Sequence, residues 1–336
     1  MPPICLISIL GGTFMVLYIL KRVASLIPVI ILVSLLVFAL LEAAPGDIVS
    51  SILSRAEDMT QEDIDRLIAE HNMDRSMIYR YGVYMRNLLR GDLGVSHLTG
   101  LSVWNMFIQR LPNTLLLSFT ALIIGMSVAV PLGIVAARSA GKLADTFATV
   151  FTLVGMSMPV FWIGLLLIVL FSGHLGWLPA AGNQAGIRSL ILPAICSGLS
   201  LTASTARQTR SSMLEILKAD FLRTAKAKGV PNEAVVRKHA LGNAWIPIIT
   251  AAGSSLCAQL AGSVVVESVF AWPGIGRLAA DAVFNRDMNT ILGTIILTTV
   301  LYVLVQMIVD VLYAFIDPRI RAQYTSKRIF RRRAAA

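Results

Sequence analysis

The sequence predicts an all-α membrane protein: six transmembrane helices with both termini inside, an outer helical insertion after the first span, and a polar inner loop between spans 4 and 5. Three observations carry this. Charged residues make up 14% of the chain and hydrophobic ones 56%, with a mean hydropathy of +0.74; a soluble domain is nearer one quarter charged. Six apolar runs approach the roughly 20 residues needed to cross hydrocarbon, and they are continuous rather than alternating, which argues against a transmembrane barrel. Finally, with the N-terminus inside, 19 of the 29 Lys and Arg fall in inner segments and only three in short outer loops, as the positive-inside rule requires.

Taken in order, residues 4–20 are apolar, contain Gly11-Gly12 and end at Lys21-Arg22. They lack a basic lead and a cleavage site, and read either as a helix ahead of span 1 or as residues before a natural start at Met15. Span 1 covers 23–41. In the outer segment, 43–112, Thr60 caps a helix with Gln61, Glu62 and Asp63 in its first turn and Ile64, Leu67 and Ile68 on one face. A second helix follows Asp74, with Met77, Ile78, Tyr81, Met85, Leu88 and Leu89 as its apolar stripe and Gly91 as its stop. Span 2 covers 113–137, span 3 147–171 and span 4 190–206. A basic island occupies 207–243. Span 5 covers 244–266, an outer loop 267–289 and span 6 290–315. Pro131, Pro159 and Pro193 should each bend a span. The domain reading is 1–112, a core 113–318, and a basic tail 319–336.

The net charge of +10 sits beside spans and in the tail, without the interleaved aromatics of a stacking platform. It fits a lipid bilayer and its anionic headgroups, not nucleic acid. Cys5, Cys196 and Cys257 read as small hydrophobes. His71, His97, His174 and His239 are scattered, and no metal-site spacing or Gly-x-Ser-x-Gly occurs. The phosphate-binding Gly-x-x-x-x-Gly-Lys-Ser/Thr is also missing, since Gly141-Lys142 is followed by Leu143 and Ala136 stands where the first glycine belongs. Any ATP hydrolysis must come from another chain. Asp310, in an otherwise apolar span, needs a partner or water; its place near the inner end favours an arginine of the tail or island. The turn Trp272-Pro273-Gly274-Ile275-Gly276-Arg277 reads as tight and re-entrant, shaped by its two glycines and proline, with Trp272 anchored at the interface and Glu267 placed to meet Arg277. It is either a structural seal or an outer gate.

In the island, Leu214, Leu217, Phe221 and Leu222 recur at helical spacing, Gly229 permits a turn, and Pro231-Asn232 starts a second helix carrying Ala234, Val235, Val236 and Leu241. Two short amphipathic helices at the membrane surface are expected. Such a pair is held by anionic lipid or docks a partner.

The island's wording resembles the cytoplasmic loop of ABC importer permease subunits, most closely the dipeptide, oligopeptide and nickel branch. The matching residues are Arg223-Thr224-Ala225-Lys226-Ala227-Lys228-Gly229, then Lys238-His239-Ala240-Leu241-Gly242-Asn243-Ala244 and Pro247. Arg223 stands where other branches carry Glu, Thr224 replaces the first Ala, and Lys238 replaces Arg. Similar matches are Leu20-Lys21-Arg22, Ala44-Pro45-Gly46-Asp47, Leu88 to Gly94, Arg110 to Thr114, Gly176 to Ala180, Phe270 to Arg277, Asp310, and Asp317 to Arg321. The resemblance implies a permease in the inner membrane of a prokaryote, paired with a homologous second permease as a heterodimer. Two ATPase subunits holding ATP and Mg would drive it, and an extracytoplasmic binding protein would deliver the solute; the chain itself would bind no cofactor and catalyse nothing. Asp220, Arg223, Thr224, Ala225, Lys226, Ala227, Lys228, Gly229, His239 and Asn243 would couple to the ATPases. Glu267, Trp272, Pro273, Gly274, Gly276 and Arg277 form the candidate outer gate. Di- and oligopeptides are the expected cargo, with nickel or a metal chelate as the alternative. A secondary transporter competes, but it needs intramembrane charges, which only Asp310 and Glu267 offer, and no inverted repeat is evident.

Overall fold

The computed structural model describes residues 4–43 and 75–316. The expected helix at Thr60, the Ala44-Pro45-Gly46-Asp47 motif, His71 and the tail from Asp317 lie outside them. Twelve α-helices follow in order: α1 Ile4–Ala43, α2 Met77–Leu89, α3 Val103–Arg138, α4 Leu143–Ser157, α5 Val160–Leu167, α6 Ile187–Leu217, α7 Asp220–Ala227, α8 Asn232–Ala234, α9 Leu241–Gly262, α10 Val264–Val269, α11 Ile275–Phe284 and α12 Met288–Ile316. Two π-helical stretches, Ile168–His174 and Val235–Ala240, extend α5 and join α8 to α9. Among the described residues five helical stretches are long and apolar enough to span a bilayer, or six if the bent pair α4–α5 is one span. The chain divides into two compact units, residues 1–113 with 273–303 and residues 114–272 with 304–336.

In the first unit α1 runs unbroken through Gly11-Gly12 and Pro28. Helix α2 packs on it: Phe38 meets Tyr81 edge-on at 5.6 Å, and Tyr81 donates a hydrogen bond to the Ile31 carbonyl at 3.1 Å. The expected α2 stripe is partly corrected. Met77, Tyr81, Met85 and Leu88 face the cluster of Phe38, Leu292 and Ile296, and Tyr84 is buried with them. Ile78 and Leu89 are 82% and 84% exposed, because the buried face follows the 77, 81, 84, 88 line of a 3.6-residue period. Gly91 is the stop, with φ +81°. Its N–H bonds the Leu88 carbonyl and that of Asp92 bonds Asn87, the two bonds of a Schellman ending. Asp287 caps α12, accepting from the Thr290 N–H at 3.3 Å and hydroxyl at 2.7 Å, as a capping carboxylate does. The expected loop 267–289 is not bare: it holds α10 and α11.

In the second unit α6 is the innermost span, packed against α4, α5 and α9. It touches α3 backbone-close along small residues. A Cβ on Gly133 would lie 2.5 Å from Thr209 Cβ and 2.7 Å from the Ala206 carbonyl, and one on Gly125 would lie 2.5 Å from Leu201. The α3 residues Ala121, Gly125, Ala129, Gly133 and Ala137 recur every fourth position, the small-xxx-small pattern of close helix pairs in membranes. Thr202 donates to the Gly198 carbonyl at 2.7 Å and lies 3.3 Å from that of Gly125 across the contact. Of the three prolines, only Pro159 breaks its span: α4 and α5 meet at 100° there. Pro159 precedes the first α5 residue, where its missing N–H costs no helix bond. Pro131 and Pro193 lie inside continuous helices, which correct the expected interruptions; neighbouring helices sustain such prolines in the membrane.

Candidate functional site

The island is organised differently from two surface helices. Its first third, 207–217, is the end of α6, with Thr209 and Met213 fully buried. Its last third is the start of span 5, since α8, the π stretch and α9 form one rod from Asn232 to Leu260. The wider π turn lets the consecutive Val235 and Val236 both face inward, as an extra residue per turn allows. Ala240, Ala244 and Ile248 extend that buried stripe, which is why no separate second helix forms. Only α7, eight residues long, stands apart.

A single buried side chain anchors α7. Leu222 is 1% exposed, in a cluster with Val130, Met213, Val235 and Ala240, and Ala225 and Val230 pack against it. The helix ends at Gly229, φ +79°. The Gly229 N–H bonds the Lys226 carbonyl and the Val230 N–H bonds that of Ala225, again a Schellman ending. Asp220 in the first turn and Lys226 in the last suit the helix dipole. With Leu222 inward, Asp220, Phe221, Arg223, Thr224, Lys226, Ala227, Lys228 and Gly229 are exposed together, while Ala225 and His239 are half-buried. Asn243 is exposed and donates to the His239 carbonyl at 2.8 Å, within the rod. The expected residues from Asp220 to Gly229 are therefore exposed together apart from Ala225, while His239 and Asn243 lie on the span-5 rod.

Two ionic ties that the sequence reading missed flank this face. Arg210 grips Asp145 with two hydrogen bonds, Nε–Oδ1 at 2.6 Å and Nη2–Oδ2 at 2.8 Å, and the Gly141 N–H adds a third at 3.0 Å. This bidentate geometry is the strong form of the pair. It joins the start of α4 to the end of α6. Arg138 reaches Glu233 at 2.8 Å, tying the end of α3 to the start of the span-5 rod. The sequence holds the charges but not their pairing, because the partners are 65 and 95 residues apart.

The Trp272–Arg277 turn also differs from expectation. Neither Gly274 nor Gly276 supplies the turn: Gly274 is extended and precedes α11, and Gly276 lies within it. Ala271 turns the chain instead, at φ +47°, and the Trp272 N–H closes the turn on the Glu267 carbonyl at 2.8 Å. Trp272 is 2% exposed, in a cluster with Leu117 and Phe270, so it is a core side chain and not an interface anchor. Glu267 is fully buried and accepts from Thr114 at 2.8 Å and Ser263 at 2.7 Å. Arg277 lies 3.7 Å from Asp281, and Asn113 donates to the Pro273 carbonyl at 3.0 Å. Gln306 donates to Asp310 at 2.9 Å, a partner on the same helix. Among the described residues no three His, Cys, Asp or Glu side chains gather as a metal site.

The family model described as binding-protein-dependent transport system inner membrane component matches residues 129–322, and the N-terminal model of the same systems matches 15–118. The chain belongs to this permease family. It is 38% identical to the di/tripeptide transport system permease protein DppB of Pseudomonas aeruginosa, covering 91% of this chain and 99% of the relative. It is 36% identical to the oligopeptide transport system permease protein AppB of Bacillus subtilis, covering 90% and 98%. Among solved structures, a permease chain from an inward-facing MetNI methionine ABC transporter matches 63% of this chain and 96% of its own, with a TM-score of 0.52 at 19% identity, a likeness of fold. The permease is thus an inner membrane component of an ABC importer, a transport subunit whose family works with ATPases and a binding protein.

The permease also contains a cavity that span-by-span reading did not reveal. It lies between α5, α6, α9 and α10, where Ser197, Ser200, Ser204, Ser255, Gln259 and Ser263 alternate with the apolar Val160, Leu201, Ala258 and Val266. The signal was present in the sequence: 197, 200 and 204 fall on one helical face, as do 255 and 259.

Proposed function

We propose that this permease imports di- and oligopeptides, and that α7 with its flanking rods is where the ATPases drive it. The observation that carries the reading is the geometry of α7. A short helix is pinned by Leu222 at the meeting of two long rods, α6 and Asn232–Leu260, with its polar face outward. A push on α7 therefore moves two spans at once. In the proposed cycle two ATPase subunits bind ATP and close, α7 follows, and α6 and α9 rock the solute path from one side of the membrane to the other. Asp220, Arg223, Thr224, Lys226, Lys228 and Gly229 make the contact, with Phe221 as its apolar centre; Ala225, Ala227, His239 and Asn243 shape it. The chain would pair with a homologous second permease. Both termini and α7 would face the cytoplasm, in keeping with the Lys and Arg distribution. The Glu267–Arg277 segment serves as an outer seal in this scheme.

Peptides are favoured over nickel or a metal chelate by the relatives' names, which specify di-, tri- and oligopeptides. Reconstitution with the cognate second permease, ATPases and binding protein tests the reading. Labelled Ala-Ala should enter vesicles only with ATP and all partners present. Entry without the ATPases, driven by an ion gradient, would refute it.

A further inference from the structure

The serine-lined cavity has no assigned role. We infer that it is an intramembrane station for the N-terminal residue or two of the transported peptide, with Ser200, Ser255 and Gln259 as its hydrogen-bonding groups. This rests on the peptide reading above. Ser204 lies 13 residues before the end of α6, about 20 Å along the helix from Leu217, so the cavity sits among the membrane-spanning helices and away from α7. Hydroxyls in such a place normally bond their own helix, as Ser204 does to the Leu201 carbonyl at 3.0 Å. Gln259 breaks that rule: its Oε1 is buried and accepts no hydrogen bond among the described residues. The N–H groups of its own helix are engaged in the helix ladder, so a donor carried by whatever fills the cavity would satisfy it.

The lining charge narrows the class. Among the described residues no Lys, Arg or His lines the cavity, which disfavours a carboxylate or phosphate. Behind the wall, Ser263 donates to Glu267 at 2.7 Å, setting a carboxylate one hydrogen bond from the space. A ligand rich in N–H donors and positive at one end fits: a peptide's ammonium and first amide, with serine hydroxyls donating to its carbonyl. The volume of about 250 Å³ lies just under the small-molecule range of roughly 300–1,000 Å³, so it suits a short stretch of peptide. Small hydroxyls at close quarters contact backbone and leave side chains unread, as a carrier of varied peptides requires.

The test uses the complete reconstituted complex and labelled Ala-Ala, with membrane levels of each variant matched. Gln259→Leu and Ser200→Val, the near-isostere of the threonine control, should cut ATP-dependent uptake roughly tenfold, the size of one lost hydrogen bond to a polar solute. Ser200→Thr, which keeps the hydroxyl, should retain uptake. Separately, Ser200→Cys should react with a water-soluble methanethiosulfonate, above the background of the buried Cys196 and Cys257, and Ala-Ala should slow that reaction during turnover. Unchanged uptake in both Gln259→Leu and Ser200→Val, or a Ser200→Cys thiol closed to the aqueous reagent, overturns the station while leaving peptide import standing. No ATP-dependent uptake of Ala-Ala by the unaltered complex removes the peptide reading and the station together.

Discussion

Leu222→Ala is the sharpest perturbation of the proposed lever. Leu222 is the only buried side chain of the eight-residue α7, and it is 1% exposed. Truncating a buried leucine costs about 2–5 kcal/mol, depending on how far the site collapses. Because α7 has no other buried anchor, the loss falls on local opening of 220–230 and not on the whole bundle. At about 1.4 kcal/mol per factor of ten, opening rises at least roughly 30-fold. Hydrogen exchange of the permease in lipid nanodiscs reads this directly: amides 222–230 should exchange at least that much faster, while α6 and α9 stay protected. Phe221→Ala is the control. Phe221 is 47% exposed, so exchange should hardly change, yet uptake should fall if it is the apolar centre of the proposed contact. Unaltered exchange in Leu222→Ala would refute the claim that this side chain pins the helix.

In Gly229→Val the new Cβ meets no atom within 4 Å, but the residue must adopt φ +79°, a conformation costing an L-residue about 1–2 kcal/mol. Membrane insertion should be normal and coupled uptake abolished, by immunoblot and transport assay. Asp145→Asn leaves the Arg210 guanidinium, 34% exposed, facing a neutral amide, and should lower the melting temperature in detergent. The partial exposure holds the cost to about 1–3 kcal/mol, below that of a fully buried pair. Asp145→Asn with Arg210→Met should recover part of it, since the two are coupled. Gly133→Leu would drive a side chain into the Ala206 carbonyl and Thr209; reduced accumulation of folded permease is expected, against normal accumulation for Gly242→Ala, whose Cβ would meet no atom within 4 Å.

The spans, their order and the glycine stops at Gly91 and Gly229 were legible because each is a local property of composition or backbone freedom. The ends of the spans were not. Charges at Arg207 and Arg210 suggest a helix already out of the membrane, but Asp145 pairs with Arg210 and α6 continues to Leu217. The second island helix likewise merged with span 5, because Val235 to Ile248 form a single buried stripe. Proline alone did not show which spans break: Pro159 starts a helix and Pro193 sits within one, a distinction set by neighbouring packing. At the outer turn the residue type misled, since Ala271 takes the left-handed conformation where Gly274 or Gly276 would be the natural choice. The charged residues of α7 could be expected to face outward, but its anchor was not legible: Phe221 and Leu222 are adjacent, and only the fold decides which one is buried.

The central claim is that the exposed face of α7 receives the ATPases. Single cysteines at Arg223, Lys226 and Leu222, probed with a short bifunctional cross-linker in the assembled complex, test it most directly. Arg223→Cys and Lys226→Cys should link to an ATPase subunit, with yields that change between the ATP-bound and nucleotide-free states, while Leu222→Cys should not link. Equal yields at all three positions, or no link from Arg223→Cys and Lys226→Cys in either state, would contradict the account.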